Sequence, residues 1–397
     1  MHSKNFFLSL SLIILLVTSC TKNEDSLNVR DNSLNVNTTS SFLKNAAISG
    51  RYIVVLKQDA GIAPLDVKVK NDHVKAKANG LLKKYEISGS VEEVYETALE
   101  GFAVKMAPGQ LAKLEKDSLV SYVEEDQEFT IDGKRVTKPI TTPVSTQTVP
   151  WGITRVGGGA TYTGTNVAWI IDSGIDLTHP DLNVDQLRGI SFVSGVTSPN
   201  DDNGHGTHVA GTIGAINNTI GVVGVAAGAK VVPVKVIDSA GSGTTSSVLA
   251  GINYVMANGK AGDVVNMSIG GDISTAIDDA VLKASGVLKF AIAAGNEMAN
   301  ACNYSPGRVN GPNIYTVSAM DSNGAWAYFS NFGNATVDYC APGITISSTY
   351  KNGGYAAISG TSMAAPHVAG LLLLGNIATS GYVTNDPDGT PDPIAHR

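Results

Sequence analysis

Two rhythms of apolar spacing divide the chain. Residues 51–56 form a β-branched run, and Val74, Ala78, Leu81, Leu82 and Tyr85 fall on one face of a Lys-rich stretch that begins at Val67. Residues 91–98 and 102–106 follow as strands across a Glu-Gly turn; Pro108 opens a second helical stretch through Leu111 and Leu114, and 120–129 closes as a strand. The order β-α-β-β-α-β predicts a small α+β unit of ferredoxin-like arrangement. From Asn166 onward the runs turn continuously apolar (166–171, 230–237, 263–269, 288–293, 313–319), as in strands buried on both faces. Helical stretches at 205–216, 246–257 and 277–284 separate them. This alternation predicts an α/β unit with a mostly parallel sheet and helices on both faces, whose ligands bind beyond the carboxyl ends of the strands.

A third pattern opens the chain. Lys4 precedes an apolar run from Phe6 to Val17, broken only by Ser9 and Ser11. That run is too short for a hydrocarbon core of about 30 Å, which needs around 20 residues. A basic start, a short apolar core and small residues before a break describe an export signal. Val17-Thr18-Ser19-Cys20 resembles the lipobox of bacterial lipoproteins, which implies lipidation of Cys20 and a membrane anchor at the outer membrane or cell surface. Thr21 to Ala47, rich in Asn, Ser and Thr, reads as a tether.

Charge sharpens the division. Residues 51–135 hold 13 Lys/Arg and 15 Asp/Glu, whereas 146–397 hold only 10 and 17, so the two folded units present different surfaces. A net charge of −7 gives no electrostatic case for nucleic acid, and 43% hydrophobic residues argue against both a disordered chain and a membrane bundle. The organisation expected is an export signal at 1–20, a tether at 21–49, the small unit at 50–132, a Pro/Thr-rich linker at 133–145 and the large unit at 146–397.

Polar residues stand at the strand ends of the large unit. Asp172 ends a strand in Ile170-Ile171-Asp172-Ser173-Gly174, His205 begins a helix in Asn203-Gly204-His205-Gly206-Thr207-His208, and Asn296 ends a strand in Ala293-Ala294-Gly295-Asn296-Glu297. Ser362 lies in Gly360-Thr361-Ser362-Met363-Ala364-Ala365-Pro366-His367, leading into an apolar helix. Each suits one task in acyl transfer. A hydroxyl needs a base to become a nucleophile, an imidazole can be that base, a carboxylate fixes the imidazole tautomer, and an amide can donate to an oxyanion. Taken singly, such residues are more often helix caps and turn residues; their order and context carry the reading. His205 and His208 lack the Glu and third ligand of a helical zinc site.

Residues 146–375 closely resemble subtilisin-like serine proteases, which run Asp, His, Ser along the chain. The resemblance rests on Ile171-Asp172-Ser173-Gly174-Ile175-Asp176, His205-Gly206-Thr207-His208-Val209-Ala210-Gly211-Thr212 and Gly360-Thr361-Ser362 through Gly370. It implies Asp172 as orienting acid, His205 as general base, Ser362 as nucleophile and Asn296 in the oxyanion hole, with His208 and His367 structural. Gly241-Ser242-Gly243 and Ser268-Ile269-Gly270 resemble the two segments that pair with an extended peptide, which favours broad polypeptide substrates. Small residues around Ala293-Ala294-Gly295 imply an open pocket for an apolar or aromatic side chain.

The same resemblance implies structural Ca²⁺. One site would use Gln147, Asp181, Asn218 and the carbonyls of Ile216, Ile220 and Val222; a second would use Asp338 with the carbonyls of Pro312 and Ile314. With Cys20 set aside, Cys302 and Cys340 remain, either bridged or as two buried thiols, and their surroundings resemble the bridged pair of some relatives of proteinase K. The small unit resembles the family's inhibitory prosegment, so the protein's own prosegment becomes a partner, removed by self-cleavage near Ser145 or Thr146; a monomer is expected. Resemblance fades after Gly375, where the family continues helical and this chain turns to Asn385-Asp386-Pro387-Asp388-Gly389, expected to wrap the surface. A serine esterase would want Gly-x-Ser-x-Gly, but position 364 is Ala and Asp172 precedes the serine. A non-catalytic surface lipoprotein would be marked by loss of a catalytic position, and all four are intact.

Overall fold

A computed structural model of the chain describes residues 47–57, 67–131, 146–375 and 377–397. The export signal with Cys20, most of the tether, Asp132 and the linker 133–145 lie outside the described residues.

The small unit has the expected order: β1 (Ala47–Leu56), α1 (Val67–Lys84), β2 (Gly89–Tyr95), β3 (Gly101–Met106), a 3-10 turn into α2 (Leu111–Leu114), and β4 (Val120–Thr130). Ala47 already pairs with Gln127, so β1 includes residues ahead of Gly50. Its strands lie antiparallel in the order β4-β1-β3-β2. Alternation sorts their side chains into two cores. Tyr52, Val54, Leu56, Phe102, Val104 and Met106 pack with Val74, Ala78 and Leu81 of α1. Ile53, Val55, Ala103 and Phe129, on the opposite face, join a core of the large unit instead.

The large unit opens with α3 (Trp151–Arg155) and the short β5 (Ala160–Thr161), followed by β6 (Ala168–Asp172), β7 (Asn183–Val184), β8 (Ile190–Ser191), α4 (His205–Gly214) and β9 (Ala226–Ala227). Then come β10 (Lys230–Lys235), β11 (Ser242–Thr244), α5 (Thr245–Asn258), β12 (Val264–Met267), α6 (Thr275–Ala284), β13 (Lys289–Ala293), β14 (Ile314–Met320) and β15 (Tyr339–Pro342). A hairpin of β16 (Ile346–Tyr350) and β17 (Gly354–Ile358) precedes α7 (Thr361–Leu374), and β18 (Ala378–Tyr382) and β19 (Pro393–His396) end the chain. The main sheet runs β18-β19-β15-β14-β13-β12-β6-β10-β7, with parallel pairing from β19 through β7.

The apolar run of β6 explains the two-faced sheet. Ala168 and Ile170 enter a core built with α4 and α7, while Trp169 and Ile171 enter one built with α5 and α6. Burial on both faces leaves no polar alternation to read. Helix α5 begins at a capping box, in which Thr244 Oγ1 accepts from Ser247 N and Ser247 Oγ accepts from Thr244 N.

One expectation is corrected here. The C-terminal tail is not a surface wrap: β19 joins the edge of the main sheet in parallel, Ile394 opposite Cys340, and Val383 and Ile394 pack on Met320. Its turn residues build the loop of a hairpin rather than a free coil, with Asn385 and Gly389 at positive φ and Asp386 accepting from Asp388 N and Asp392 N. Cys302 and Cys340 are not bridged. Cys340 sits fully buried in β15 among Met320, Val383 and Ile394, and that apolar burial pushes its thiol pKa far up; Cys302 sits on the short 3-10 turn 301–303, its Sγ 3.7 Å from Asn303 Oδ1. The buried tail cluster also takes Asp392, which accepts from Ser318 Oγ at 2.7 Å and is pushed up to about 7 by burial.

Candidate active site

Asp172 is the last residue of β6, His205 the first of α4, and Ser362 the second of α7. His205 Nδ1 meets Asp172 Oδ1 at 2.8 Å and Oδ2 at 3.0 Å, both residues being buried. The approach needs Gly206: a Cβ there would lie 2.1 Å from Gly174 O, so any side chain would push α4 off the strand end. Ser173 N also donates to Asp172 Oδ1 at 2.7 Å, and Val236 N donates to the Asp172 carbonyl.

Ser362 does not contact His205 by a hydrogen bond in this state. Its hydroxyl donates to Ser268 O at 3.0 Å, while His205 Nε2 is buried without a polar partner. Rotation about the Ser362 Cα–Cβ bond is the motion that re-aims the hydroxyl. Pro366 inside α7 has no N–H for the Ser362 carbonyl four residues back, and Ser268 Oγ donates to that carbonyl instead at 2.8 Å. The first turn of α7 leaves its N–H groups outside the i to i−4 ladder, Thr361 N donating to Asn296 Oδ1 and Met363 N to Gly360 O.

Asn296 is oriented by a residue that sequence reasoning missed. Thr361 donates to Asn296 Oδ1 with both its N–H, at 2.9 Å, and its hydroxyl, at 3.1 Å, so the Asn296 amide presents Nδ2 as its donor. Buried Asn331 holds the rest of that loop: its Oδ1 accepts from Glu297 N and Ala299 N, and its Nδ2 donates to Ala294 O. Asp201 does the same for the His205 turn, accepting from Ser173 Oγ, Gly204 N, Thr207 N and Thr207 Oγ1. Burial nevertheless raises the Asp201 pKa. Its only sequence signal is its place four residues before His205. His208 and His367 are fully buried, His208 Nε2 donating to Ile346 O and His367 Nδ1 to Met363 O, and burial lowers them to about 3 and about 4.

A pocket beside Ser362 is walled by Ala293, Ala294, Gly295, Glu297, Tyr304 and Gly307, with Thr130 of the small unit at its mouth. That residue belongs to β4, which runs between the two segments singled out in the sequence. Thr130, Phe129 and Glu128 pair antiparallel with Ser242, Gly243 and Thr244 on one side, Ile131 N donates to Gly241 O, and Thr130 bridges Gly270 on the other. Two carboxylates of the same strand cap helices of the large unit. Asp126 accepts from Ser246 N and Oγ at the start of α5, and Glu124 accepts from the α6 N-cap Ser274 at 2.5 Å. Burial raises the pKa of both.

The calcium candidates converge in part. Gln147 Nε2 sits among Ile216 O at 2.9 Å, Asn218 Oδ1 at 3.3 Å and Ile220 O at 3.4 Å. Asp181 accepts from Asn218 Nδ2 and Val222 N, so five of the six candidates are drawn together by direct contacts around one loop and Val222 by its N–H. Three oxygens gathered on one amide nitrogen are a cation-shaped cradle, and Gln147 offers its oxygen if the amide turns over. Asp338 lies beside β14, accepts from Thr316 N at 2.8 Å and is pushed up to about 6 by burial; its contacts are to Thr316 rather than to Pro312 or Ile314. Among the described residues no group of three or more His, Cys, Asp or Glu could hold a metal ion.

A parallel sheet carrying an Asp–His pair and a helix-borne Ser at the carboxyl edge, with an inhibitor-like strand across it, defines a serine hydrolase that acts on extended chains. Comparison with known proteins makes the class specific. Residues 163–377 match the subtilase family, peptidase S8, and residues 51–132 match peptidase inhibitor I9. An extracellular serine proteinase of a Thermus species is 36% identical over 406 residues, covering 97% of this chain and 92% of that protein. Subtilisin E of Bacillus subtilis is 40% identical over 337 residues, covering 82% and 79%. Alkaline serine exoprotease A of Vibrio alginolyticus is 40% identical over 341 residues, 83% of this chain, which spans only 60% of that relative. A solved structure of a cold-adapted subtilisin-like serine proteinase superposes with a TM-score of 0.54 at 37% identity, over 62% of this chain and 97% of its own. The chain therefore belongs to the subtilase family, as a serine endopeptidase preceded by an I9-type inhibitor segment.

Proposed function

We propose that the chain is a self-processing zymogen in which Ser362, His205, Asp172 and Asn296 cut peptide bonds, and its own prosegment is the first substrate. The supporting observation is the register of β4. Thr130 opposes Gly270 in an antiparallel bridge, two positions from Ser268, whose carbonyl lies 3.0 Å from Ser362 Oγ; a chain kept in that register would reach Ser268 two residues after Thr130. This reading makes 132–133 the first bond cut, upstream of the Ser145 or Thr146 site that the family pattern suggests; a second cut there then removes the linker.

In this scheme His205 Nε2 takes the Ser362 hydroxyl proton as Oγ attacks the carbonyl carbon, Asp172 holding the imidazole through Nδ1. The oxyanion receives Asn296 Nδ2 and the Ser362 N–H. His205 returns the proton to the leaving amine, and water then repeats the sequence on the acyl-enzyme. The substrate strand pairs with Gly241-Ser242-Gly243 and Ser268-Ile269-Gly270, as β4 does, and its side chain beside the cut bond enters the small-residue pocket, which favours an apolar or aromatic group.

Intact mass of the chain without its export signal, expressed beside Ser362→Ala, tests this. Wild type is expected to yield a fragment ending at Asp132, and Ser362→Ala to stay whole. A first cut near Ser145 would overturn the register reading, and an uncut wild type would overturn self-processing.

The Gln147–Asp181–Asn218 cradle supports a structural Ca²⁺ held with the Ile216, Ile220 and Val222 carbonyls. Such an ion would fix the loop and take no part in the chemistry. At calcium near 1,000 times Kd, binding stabilises by about 4 kcal/mol, so chelation should lower Tm by roughly 8–16 °C for a domain of this size. An unchanged Tm under chelator would remove this assignment. The export pattern and lipobox further support a lipid-anchored monomer displayed outside the cell, with Cys20 as the acylated residue.

A further inference from the structure

Lys235 is a charged side chain where none is expected. It ends β10 directly opposite Asp172 in the parallel register and is fully buried. An ammonium inside a protein costs several kcal/mol unless every proton is used. Here each one is: Nζ donates to Ser173 O at 2.6 Å, to Asp202 Oδ1 at 2.7 Å and to Ile237 O at 2.9 Å. A methionine would fill the same volume without that desolvation, so packing alone does not account for a lysine.

The three acceptors belong to three different segments. Ser173 follows the acid on β6, Asp202 stands three residues before His205 in the turn that leads into α4, and Ile237 leads from β10 towards β11. We propose that Lys235 is a positioning residue that locks the acid, base and substrate-pairing segments into one geometry. This rests on the triad reading above. Hydrogen bonds from Ser173 and Thr207 to Asp201 tie the first two segments and backbone bonds from Val236 and Ile237 to the Asp172 carbonyl tie the first and third, while the one ammonium of Lys235 contacts all three at once. Fixed geometry matters because a displacement of about 1 Å at a reacting pair can cost on the order of 100-fold in rate.

The test is steady-state kinetics of the self-processed enzyme on a peptide amide, comparing wild type, Lys235→Ala and Asp202→Asn. Lys235→Ala is expected to lower kcat by about 100-fold with KM little changed. The space left beside half-exposed Asp202 admits a small alkylammonium ion, so ethylammonium should restore part of kcat and ethanol none. A purely structural lysine would give a lower Tm without amine rescue, and that result overturns the proposal, as does an unchanged kcat. Should Lys235→Ala accumulate unfolded, Asp202→Asn decides: kcat reduced at constant KM and Tm supports the clamp, and wild-type kinetics sink it. Asp172→Asn in the same assay separates the two levels. Activity kept there removes the triad reading itself, whereas activity lost there and kept in Lys235→Ala and Asp202→Asn removes only the role of Lys235.

Discussion

Asp172→Asn is expected to lower kcat by about four orders of magnitude while the protein stays folded. Asp172 Oδ1 takes the Ser173 N–H at 2.7 Å, and the carboxylate accepts His205 Nδ1–H at 2.8–3.0 Å. In the variant the amide oxygen keeps the Ser173 donor, which turns Nδ2 towards His205. Two donors then face each other, and the imidazole relieves the clash by moving its proton to Nε2. An Nε2–H has no lone pair for the Ser362 proton, so the nucleophile stays inert. The same defect should leave the prosegment attached, which intact mass reads directly, while circular dichroism checks the fold. A kcat within tenfold of wild type would mean that another group orients His205.

The second large effect concerns release rather than chemistry. Asn253→Leu should weaken the grip of the prosegment by two to three orders of magnitude. Asn253, buried on α5, accepts through one oxygen from the N–H groups of Glu96, Thr97 and Ala98, at 3.0, 2.7 and 3.2 Å, and from the Thr97 hydroxyl at 2.7 Å. Leucine keeps the shape and removes the acceptor. Each N–H left unmet costs about 1–3 kcal/mol and the three are not additive, while the Thr97 hydroxyl keeps the Asn253 carbonyl, so a total near 3–4 kcal/mol follows. The mature catalytic unit retains its triad, and kcat should not move. The inhibition constant of added prosegment, and the lag between self-cleavage and full activity, give the readout. An inhibition constant within threefold of wild type would assign the affinity to the β4 ladder and the Asp126 and Glu124 caps instead.

Much of the fold was legible because its signals are local. The run at residues 166–171 reads as a strand buried twice over, and the structure sends its alternate side chains into two cores. The Lys-rich stretch from Val67 keeps Val74, Ala78 and Leu81 on one face, as helical spacing demands. The tail was misread because Asn385, Asp386, Pro387 and Gly389 announce turns, yet say nothing of the edge strand those turns return to the sheet. The sequence leaves the cysteine pair open between a bridge and two thiols for a related reason. Parity in the sequence is no measure of distance, and Cys340 is committed to an apolar cluster under the tail.

Around the site, motifs named the acid, base, hydroxyl and amide, since each sits in a run whose neighbours are close in sequence. Thr361, Asn331, Asp201, Asn253 and Lys235 carry no such run. Each has at least one partner 28 to 157 residues away; only the packed chain brings these together. The register of β4 belongs with them, because alternation sets which face of a strand is buried but not which residue opposes Gly270. By itself, then, the sequence determined the order of elements, the two units and the chemical identities at the site, all of which depend on short-range spacing. The tertiary structure alone decided the pairing of Thr130 with Gly270, the contacts of Lys235 around His205 and Asp172, and the fate of the tail, because those depend on contacts between segments that no local pattern encodes.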